Sequence, residues 1–524
     1  MLLSANAIEK QYGSHTVFES LSFTIDEGHK IALVGKNGAG KSTLMRILAG
    51  SEDPDSGSVT LTKGRVCAFA PQELVADEGR TGISYLNDLG LKEHQFIPIL
   101  DGLGMSQAVV EQPIDSLSGG QRSKILLATF LLQPADILLM DEPTNNLDIP
   151  SLVWLETFLA ASKKAMVIIS HDLTFLNNVA NRVFELKDGT LTSERGTYGD
   201  YLERKKKEHD RQMRQYREYQ EQLQKLRKDR DDLKQKGERI DAVQTTDKDK
   251  FASGVNRDRA SKGQQRVRSL DRNIRKLETV EKPYEEDEFA LHISTGHVEG
   301  AVEVTVDDVV AGYPDGLSVG PLSLTLKQGE RLCFMGENGS GKSTVLKTII
   351  GALPPLQGSV TKTDAVQIGD FMQHHERADR SKDVLSFFIQ ETRSDRERAM
   401  HALKKVGFSD QTIVQTIDGI SPGMRARLLF AVFVATGVTM LVLDEPTNHL
   451  DTEAVFALKD MLKDYQGIVL LVSHNRWFLE NVAINQYFHI GDGTVDRIKD
   501  FEQYLRQAGD RAKGMTARLK RMIQ

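Results

Sequence analysis

Cysteine is nearly missing from this chain: Cys67 and Cys333 are the only two among 524 residues. They exclude a disulfide framework, and neither belongs to a CxxC or a His/Cys cluster. Each falls in a β-like run, residues 66–70 and 331–335, which predicts buried structural thiols in a reducing cytosol. Long apolar stretches are missing as well. The longest, Leu428 to Leu443, has 16 residues and is broken by Thr436, Gly437 and Thr439. That is short of the ~20 a spanning helix requires, and it reads as a buried helix followed by a buried strand. Met1 to Gly13 carry no basic start and no apolar core before a cleavage site, so no signal peptide is expected and the location is expected to be cytoplasmic. Proline is absent between Tyr201 and Glu238, where Gly237 is the one glycine.

At ~150 residues per domain, the length suggests three or four units. A hydrophobic share of 40% and a charged share of 27% describe an ordinary globular chain. The net charge of −7 hides an uneven distribution. Residues 201–280 hold 24 Lys/Arg against 15 Asp/Glu, which is +9, so the remainder carries −16.

The chain repeats itself. Gly35-Lys-Asn-Gly-Ala-Gly-Lys-Ser-Thr43 returns as Gly336-Glu-Asn-Gly-Ser-Gly-Lys-Ser-Thr344, an offset of 301. Met140-Asp-Glu-Pro-Thr-Asn-Asn-Leu-Asp148 returns as Leu443-Asp-Glu-Pro-Thr-Asn-His-Leu-Asp451, and Ile169-Ser-His-Asp172 as Val472-Ser-His-Asn475, both offset by 303. Tyr12 and Gln72 match Tyr313 and Gln373. Two α/β domains of roughly 200 residues follow, with compact apolar runs at 137–140 and 166–169 that suit buried parallel strands. The divisions expected are residues 1–200, 201–283, 284–500 and a short basic helix at 501–524.

The linker differs in kind. Tyr216, Tyr219, Leu223, Leu226 and Leu233 follow a 3-4-3 spacing with Arg230 in the missing seam position, and Val267, Leu270, Ile274 and Leu277 repeat it. Two helices in an antiparallel coiled-coil hairpin are predicted. A solvated spacer is the plainer alternative, but the charge of +9 suits a device that touches phosphate backbone. Phe251 is the lone aromatic between Tyr219 and Tyr284, at the tip or in a small local core.

The chemistry lies in the repeated motifs. In Gly35, Asn37, Gly38, Gly40, Lys41, Ser42 and Thr43, and in Gly336, Asn338, Gly339, Gly341, Lys342, Ser343 and Thr344, glycines turn backbone N–H groups toward a triphosphate. The lysine adds charge at the β/γ oxygens, and the Ser42 or Ser343 hydroxyl can bind Mg²⁺. A helix N-terminus meets the same anion. Asp141 and Asp444 end apolar strands, where a carboxylate can hold a metal-bound water. Glu142 and Glu445 follow, expected on the opposite side of an extended chain, free to orient or deprotonate the attacking water. His171 and His474 are expected at the γ-phosphate. Gln72 and Gln373 suit the metal or the water, and Tyr12 and Tyr313 suit stacking on adenine; a surface glutamine and a core tyrosine are the plainer alternatives.

Leu117-Ser-Gly-Gly-Gln121, taken with these motifs, resembles the signature of the ATP-binding cassette ATPases. The whole arrangement resembles the ABC-F subfamily: two cassettes in one chain, no membrane segment, and a charged helical linker after Gly196-Thr-Tyr-Gly-Asp-Tyr201. The resemblance implies a head-to-tail sandwich within one monomer, closing on two ATP molecules. It implies binding in the ribosomal tRNA exit site, with the linker meeting rRNA and tRNA and reaching toward the peptidyl-transferase centre. One site would pair Lys41, Ser42, Gln72, Asp141, Glu142 and His171 with Ser421 and Gly423. The other would pair Lys342, Ser343, Gln373, Asp444, Glu445 and His474 with Ser118, Gly119, Gly120 and Gln121, and Asp148 and Asp451 would couple the two.

Three departures stand out. The second signature reads Ile420-Ser-Pro-Gly-Met-Arg425, where Pro422 suits a first helical turn but Met424 offers no polar contact, so the sites are expected to turn over unequally. Asn146 stands where the second half has His449. No arm is inserted in either half, since Gln72 to Ser118 spans 46 residues and Gln373 to Ser421 spans 48. That absence and the irregular stretch Asp241 to Lys262 resemble the antibiotic-resistance branch more than the housekeeping one. The motor subunit of an exporter and a DNA-associated ATPase are the competing readings. The first would need a separate membrane protein. The second is disfavoured by the short tail, so no DNA partner is expected.

Overall fold

The structure is a computed structural model, described for all residues except 14, 37, 71–78, 245–266, 275–299, 315, 372–379, 448–449, 451 and 524. Residues 1–198 and 289–524 form one compact unit that contains both cassettes, and residues 199–288 form a second.

Each cassette has a six-stranded sheet. In the first its order is Cys67–Phe69, Ile137–Asp141, Ala165–Ile169, Lys30–Val34, Arg182–Lys187 and Thr190–Arg195; in the second it is Ile368–Asp370, Met440–Asp444, Ile468–Val472, Arg331–Met335, Gln486–Gly491 and Thr494–Ile498. The first five strands of each run parallel and the last pairs antiparallel. Ala165–Ile169, Arg331–Met335 and Ile468–Val472 are buried at every position, as strands covered on both faces must be. A three-stranded antiparallel sheet packs beside each: His15–Ile25, Leu3–Tyr12 and Ser56–Leu61 in the first cassette, Ser318–Lys327, Glu303–Gly312 and Gln357–Lys362 in the second. Ile8, Phe18, Ile31, Leu44 and Ile137 share one core, and Val304, Leu332, Val345 and Val442 its counterpart.

The cassettes also share a core. Ile149, from the first, is buried within the helical core of the second, along with Phe501 and Tyr504. The basic tail forms the helix Phe501–Ile523, which packs on Ile149–Ala161 and Glu93–Gly102 of the first cassette. Cys333 is buried, which drives its thiol far above the ordinary value, whereas Cys67 is half-buried and its thiol is pushed up to about 11.

The first arm, Tyr198–Gln244, runs 47 residues, about 70 Å at ~1.5 Å per residue, and extends beyond both ends of the proline-free run from Tyr201 to Glu238. Residues 267–274 form the described part of the second arm. Leu223 and Ile274 are buried, and so is Met213, while Tyr219 is exposed and Gln220 beside it is half-buried, so the seam passes Gln220 rather than Tyr219. Arg230 lies 3.8 Å from Asp271 of the other arm, so an ion pair occupies the missing apolar position. Phe251 and Leu277 lie outside the described residues, as does most of Asp241–Lys262.

Candidate active sites between the two cassettes

Each glycine-rich loop leaves one of its sheet's inner strands and enters a helix, Lys41–Leu48 or Lys342–Ile350. Gly35 and Gly336 have no room for a side chain: a Cβ would lie 2.3 Å from the Leu186 carbonyl oxygen or 2.2 Å from that of Ile490. Gly40 and Gly341 cap the helices at φ 96° and 100°, in the left-handed region that favours glycine. Gly38 and Gly339 also have positive φ and face open space. Lys41 Nζ donates to the carbonyls of Gly35 (2.8 Å) and Lys36 (3.0 Å), and Lys342 Nζ to those of Gly336 (3.0 Å) and Glu337 (2.8 Å). Each ammonium thus braces the loop from within, and burial lowers the pKa of Lys342. Ser42 with Thr43, and Ser343 with Thr344, occupy the first helical turns.

Asp141 and Asp444 end their strands as expected. Burial raises the Asp444 carboxyl above its ordinary value, opposed by a hydrogen bond with Ser343. Glu142 and Glu445 are not extended: their φ values are 52° and 48°, a strained conformation for a non-glycine residue. Their N–H groups still reach the neighbouring strand: Glu142 N–H donates to Ile169 O at 2.9 Å and Glu445 N–H to Val472 O at 2.8 Å. The turn swings each carboxylate to the loop bearing the histidine. Glu142 Oε2 accepts from His171 N–H and Glu445 Oε2 from His474 N–H, both at 3.2 Å. The other oxygen, Oε1, makes no hydrogen bond among the described residues and lies 3.5 Å from His171 Nε2 or 3.4 Å from His474 Nε2. Burial pushes both carboxyls up to about 7. Burial and the Lys342 ammonium hold His474 neutral, below its ordinary value. A buried carboxylate with one uncommitted oxygen and a pKa near neutrality suits a general base.

A cavity of about 670 Å³ joins the cassettes. Ser118, Gly120 and Gln121 of the first signature line it with Asn338, Gly339, Glu445 and His474 of the second cassette, and with Glu142 and His171. Ser118 caps the helix Gly119–Leu132 through a reciprocal pair with Gln121. Asn338 ties the halves together: its N–H donates to Asp148 Oδ2 at 3.0 Å, its Nδ2 donates to Asn146 O at 2.8 Å, and its Oδ1 lies 3.1 Å from His474 Nε2. Asn146 has φ 63°, which asparagine tolerates, and it works through its backbone carbonyl, so its difference from His449 leaves this contact intact.

The structure therefore brings together the Lys342 site and the first signature. Ser421 caps Pro422–Ala435 by accepting from Met424 N–H, but Met424 cannot return the bond as Gln121 does. Among the described residues that line the shared cavity, Ser421 is not one. Tyr12 and Tyr313 are each 48% exposed, with room to stack on a base, and the Tyr12 hydroxyl donates to Glu52 at 2.5 Å. Asn37, Gln72, Gln373 and Asp451 lie outside the described residues. Three groups escape the motif pattern. Lys124 is buried 3.4 Å from Asp148, Arg476 meets Glu156 and Asp172 of the other cassette, and Arg511 pairs with Glu337 at 2.6 Å. Arg476 has no counterpart in the repeat, where Leu173 holds the matching position.

The ABC transporter family matches residues 18–145 and 319–448. With two P-loop sites and buried glutamates beside them, the class is an ATPase of the ATP-binding cassette type. The chain is 30% identical to the probable ATP-binding protein YbiT of Escherichia coli O157:H7, over 97% of this chain and 100% of that protein. It is 29% identical to ABC transporter F family member 5 of Arabidopsis thaliana, over 95% of this chain and 76% of that one. Among solved structures, RNase-L Inhibitor superposes with a TM-score of 0.62 at 20% identity, covering 96% of this chain and 93% of that chain. An archaeal ribosome recycling factor, aABCE1, solved with the ribosomal stalk protein aP1, gives 0.63 at 20% identity over 96% and 92%. The chain belongs to the ABC-F family of ATP-binding cassette ATPases.

Proposed function

We propose that this ATPase acts on the ribosome, with ATP closing the cassettes, the closed form binding, and hydrolysis releasing it. The observation that carries this is the charge partition: +9 in residues 201–280 against −16 elsewhere. A chain that is acidic overall and concentrates its basic charge on one helical unit is built to meet a polyanion there. Phosphates of rRNA and tRNA fit, with the linker directed toward the peptidyl-transferase centre. No described helix is long and apolar enough to cross a membrane, and the protein works in the cytoplasm as a monomer. The finer role is protection of the ribosome from an antibiotic, supported by the absence of an inserted arm in either cassette; a housekeeping translation factor is the alternative.

Mg²⁺ fits as the cofactor. The Ser343 hydroxyl and Asp444 carboxylate already touch, and an alcohol with a carboxylate is the oxygen donor set a hard divalent ion takes. Ser42 and Asp141 repeat the set, with Gln72 and Gln373 as further oxygens. When bound, the ion would neutralise triphosphate charge. The chain's own residues do the rest: P-loop amides and lysine hold the phosphates, the histidine orients the γ-group, and the glutamate takes the proton of water.

The test is co-sedimentation of the Glu142→Gln/Glu445→Gln double variant with 70S ribosomes, with and without ATP. Pelleting that requires ATP is expected. Absence of pelleting would leave the ATPase assignment intact but remove its target; where pelleting holds, drug sensitivity with residues 245–262 replaced separates protection from housekeeping.

A further inference from the structure

The two cassettes meet at a buried ionic cluster that the nucleotide motifs do not explain. Arg476, 2% exposed, opens the second-cassette helix Arg476–Asn481 two residues after His474. Its guanidinium donates through Nη1 to Glu156 Oε2 at 3.0 Å and through Nη2 to Glu156 Oε1, and Nη2 also reaches Asp172 Oδ2 at 3.3 Å. Both acids belong to the first cassette and are 6% and 8% exposed.

Each partner sits on a working part. Asp172 directly follows His171 and caps the helix Leu173–Val179 by accepting from Phe175 N–H. Glu156 lies on Ile149–Ala161, the helix capped by Asp148, whose other oxygen holds Asn338 of the second P-loop. Asn178 fixes Glu156 by donating to Oε2 at 3.1 Å. One side chain therefore spans the loop of His474, the loop of His171 and the helix that grips the second P-loop. Drawing these buried charges apart would leave them unpaired, so the loops must move together.

The contact is made once. In the repeat, Leu173 stands where Arg476 does, Lys459 where Glu156 does and Asn475 where Asp172 does. No mirrored bridge can form, and the connection runs in one sense, from a second-cassette cation to first-cassette acids.

We propose that Arg476 is a positioning residue that ties the His171 loop to the His474 loop, so that the occupancy of one ATP site sets the turnover of the other through this side chain. The inference rests on the ATPase assignment alone, and its test needs no ribosome.

The experiment uses the full chain with Glu142→Gln or Glu445→Gln, leaving one hydrolysing site beside one that retains ATP. With Arg476 intact, the live site is expected to turn over about fivefold or more away from its share of the parent rate, the size of an ordinary coupling free energy. In the Asp172→Asn background the two sites are expected to become independent, with rates adding to the parent's within about twofold. Asn475 caps the matching helix in the second cassette, so Asp172→Asn keeps the cap and the Glu156 pair, and the fold with them. Arg476→Met should behave the same way, and Arg476→Lys should restore part of the coupling. Coupling that survives Asp172→Asn would overturn the proposal. So would a parent without coupling, or an equal loss of kcat at both sites with KM and coupling unchanged.

Discussion

Asn338 and Asp148 are 190 residues apart, and the backbone N–H of the first donates to a carboxylate oxygen of the second at 3.0 Å. The other oxygen of Asp148 caps a helix by accepting from Ser151 N–H at 3.0 Å. One carboxylate therefore shapes its own cassette and holds the loop that receives ATP in the other.

Replacing Asp148 with alanine should cost about 1–3 kcal/mol for a lost cap and a buried unpaired N–H. Burial alone would raise this carboxyl, but Lys124 and the hydrogen bonds from Ser151 and Asn338 hold it below its ordinary value of 3.8. Its stabilisation is thus fully present above about pH 4 and lost as pH falls through the lower folded value. The melting-temperature gap between parent and Asp148→Asn should hold from pH 7 to about 4 and close only below.

Glu142 and Glu445 predict the opposite slope. Burial moves both from 4.5 up to about 7, so the folded state prefers them protonated. The benefit is complete below about pH 4.5 and gone once pH passes about 7. Glu445→Gln should therefore melt higher than the parent at pH 8 and match it near pH 4.5. Turnover runs the other way: the base must be ionised, so kcat should climb between about pH 6 and 8, and either glutamine variant should lose ~10²-fold or more at its own site.

Met424 marks the weaker capping of the two signatures. Met424→Gln should complete the reciprocal pair that Gln121 makes with Ser118, adding about 0.5–1 kcal/mol to the helix. Glu142→Gln should cost the parent less ATPase than Glu445→Gln, because it silences the slower site. Equal losses would sink the idea that the sites differ, and Met424→Gln in the Glu445→Gln background should raise the remaining rate.

The linker makes a salt prediction. Lys225, Lys228, Arg268 and Arg272 are exposed along the described arms. If each neutralises one phosphate, changing all four to glutamine should make the slope of log K against log salt shallower by about 3, read by ribosome pelleting from 50 to 200 mM salt. An unchanged slope would mean that other cations make the contact.

Most of the fold was legible because a repeat with two P-loops carries its own register. The strand ends and the helix after each glycine loop sit where the motifs put them. Glu142 leaves the extended geometry one residue after its strand ends, at φ 52°, and nothing in the local sequence announces that turn. Spacing alone puts Tyr219 in the linker seam, whereas Gln220 is the half-buried residue at that turn. The cluster at Arg476 is invisible to motif reading for a different reason. It joins residues 320 apart that the repeat does not pair, and only burial in three dimensions turns an ordinary arginine and glutamate into a bridge.

The helix Phe501–Ile523 bears on how this protein can be made. Trp154, 1% exposed, lies beside Ala508, Arg511 and Ala512 of that helix. The first cassette emerges from synthesis long before its cover does. At about 5–20 residues per second, the interval between residue 154 and the covering turn is roughly 20–70 s. During that time the face of Ile149–Ala161 that the tail helix covers is open to solvent. The nascent chain is then a natural client for a holding chaperone, and the first cassette reaches its finished surface only when translation of the second is almost over.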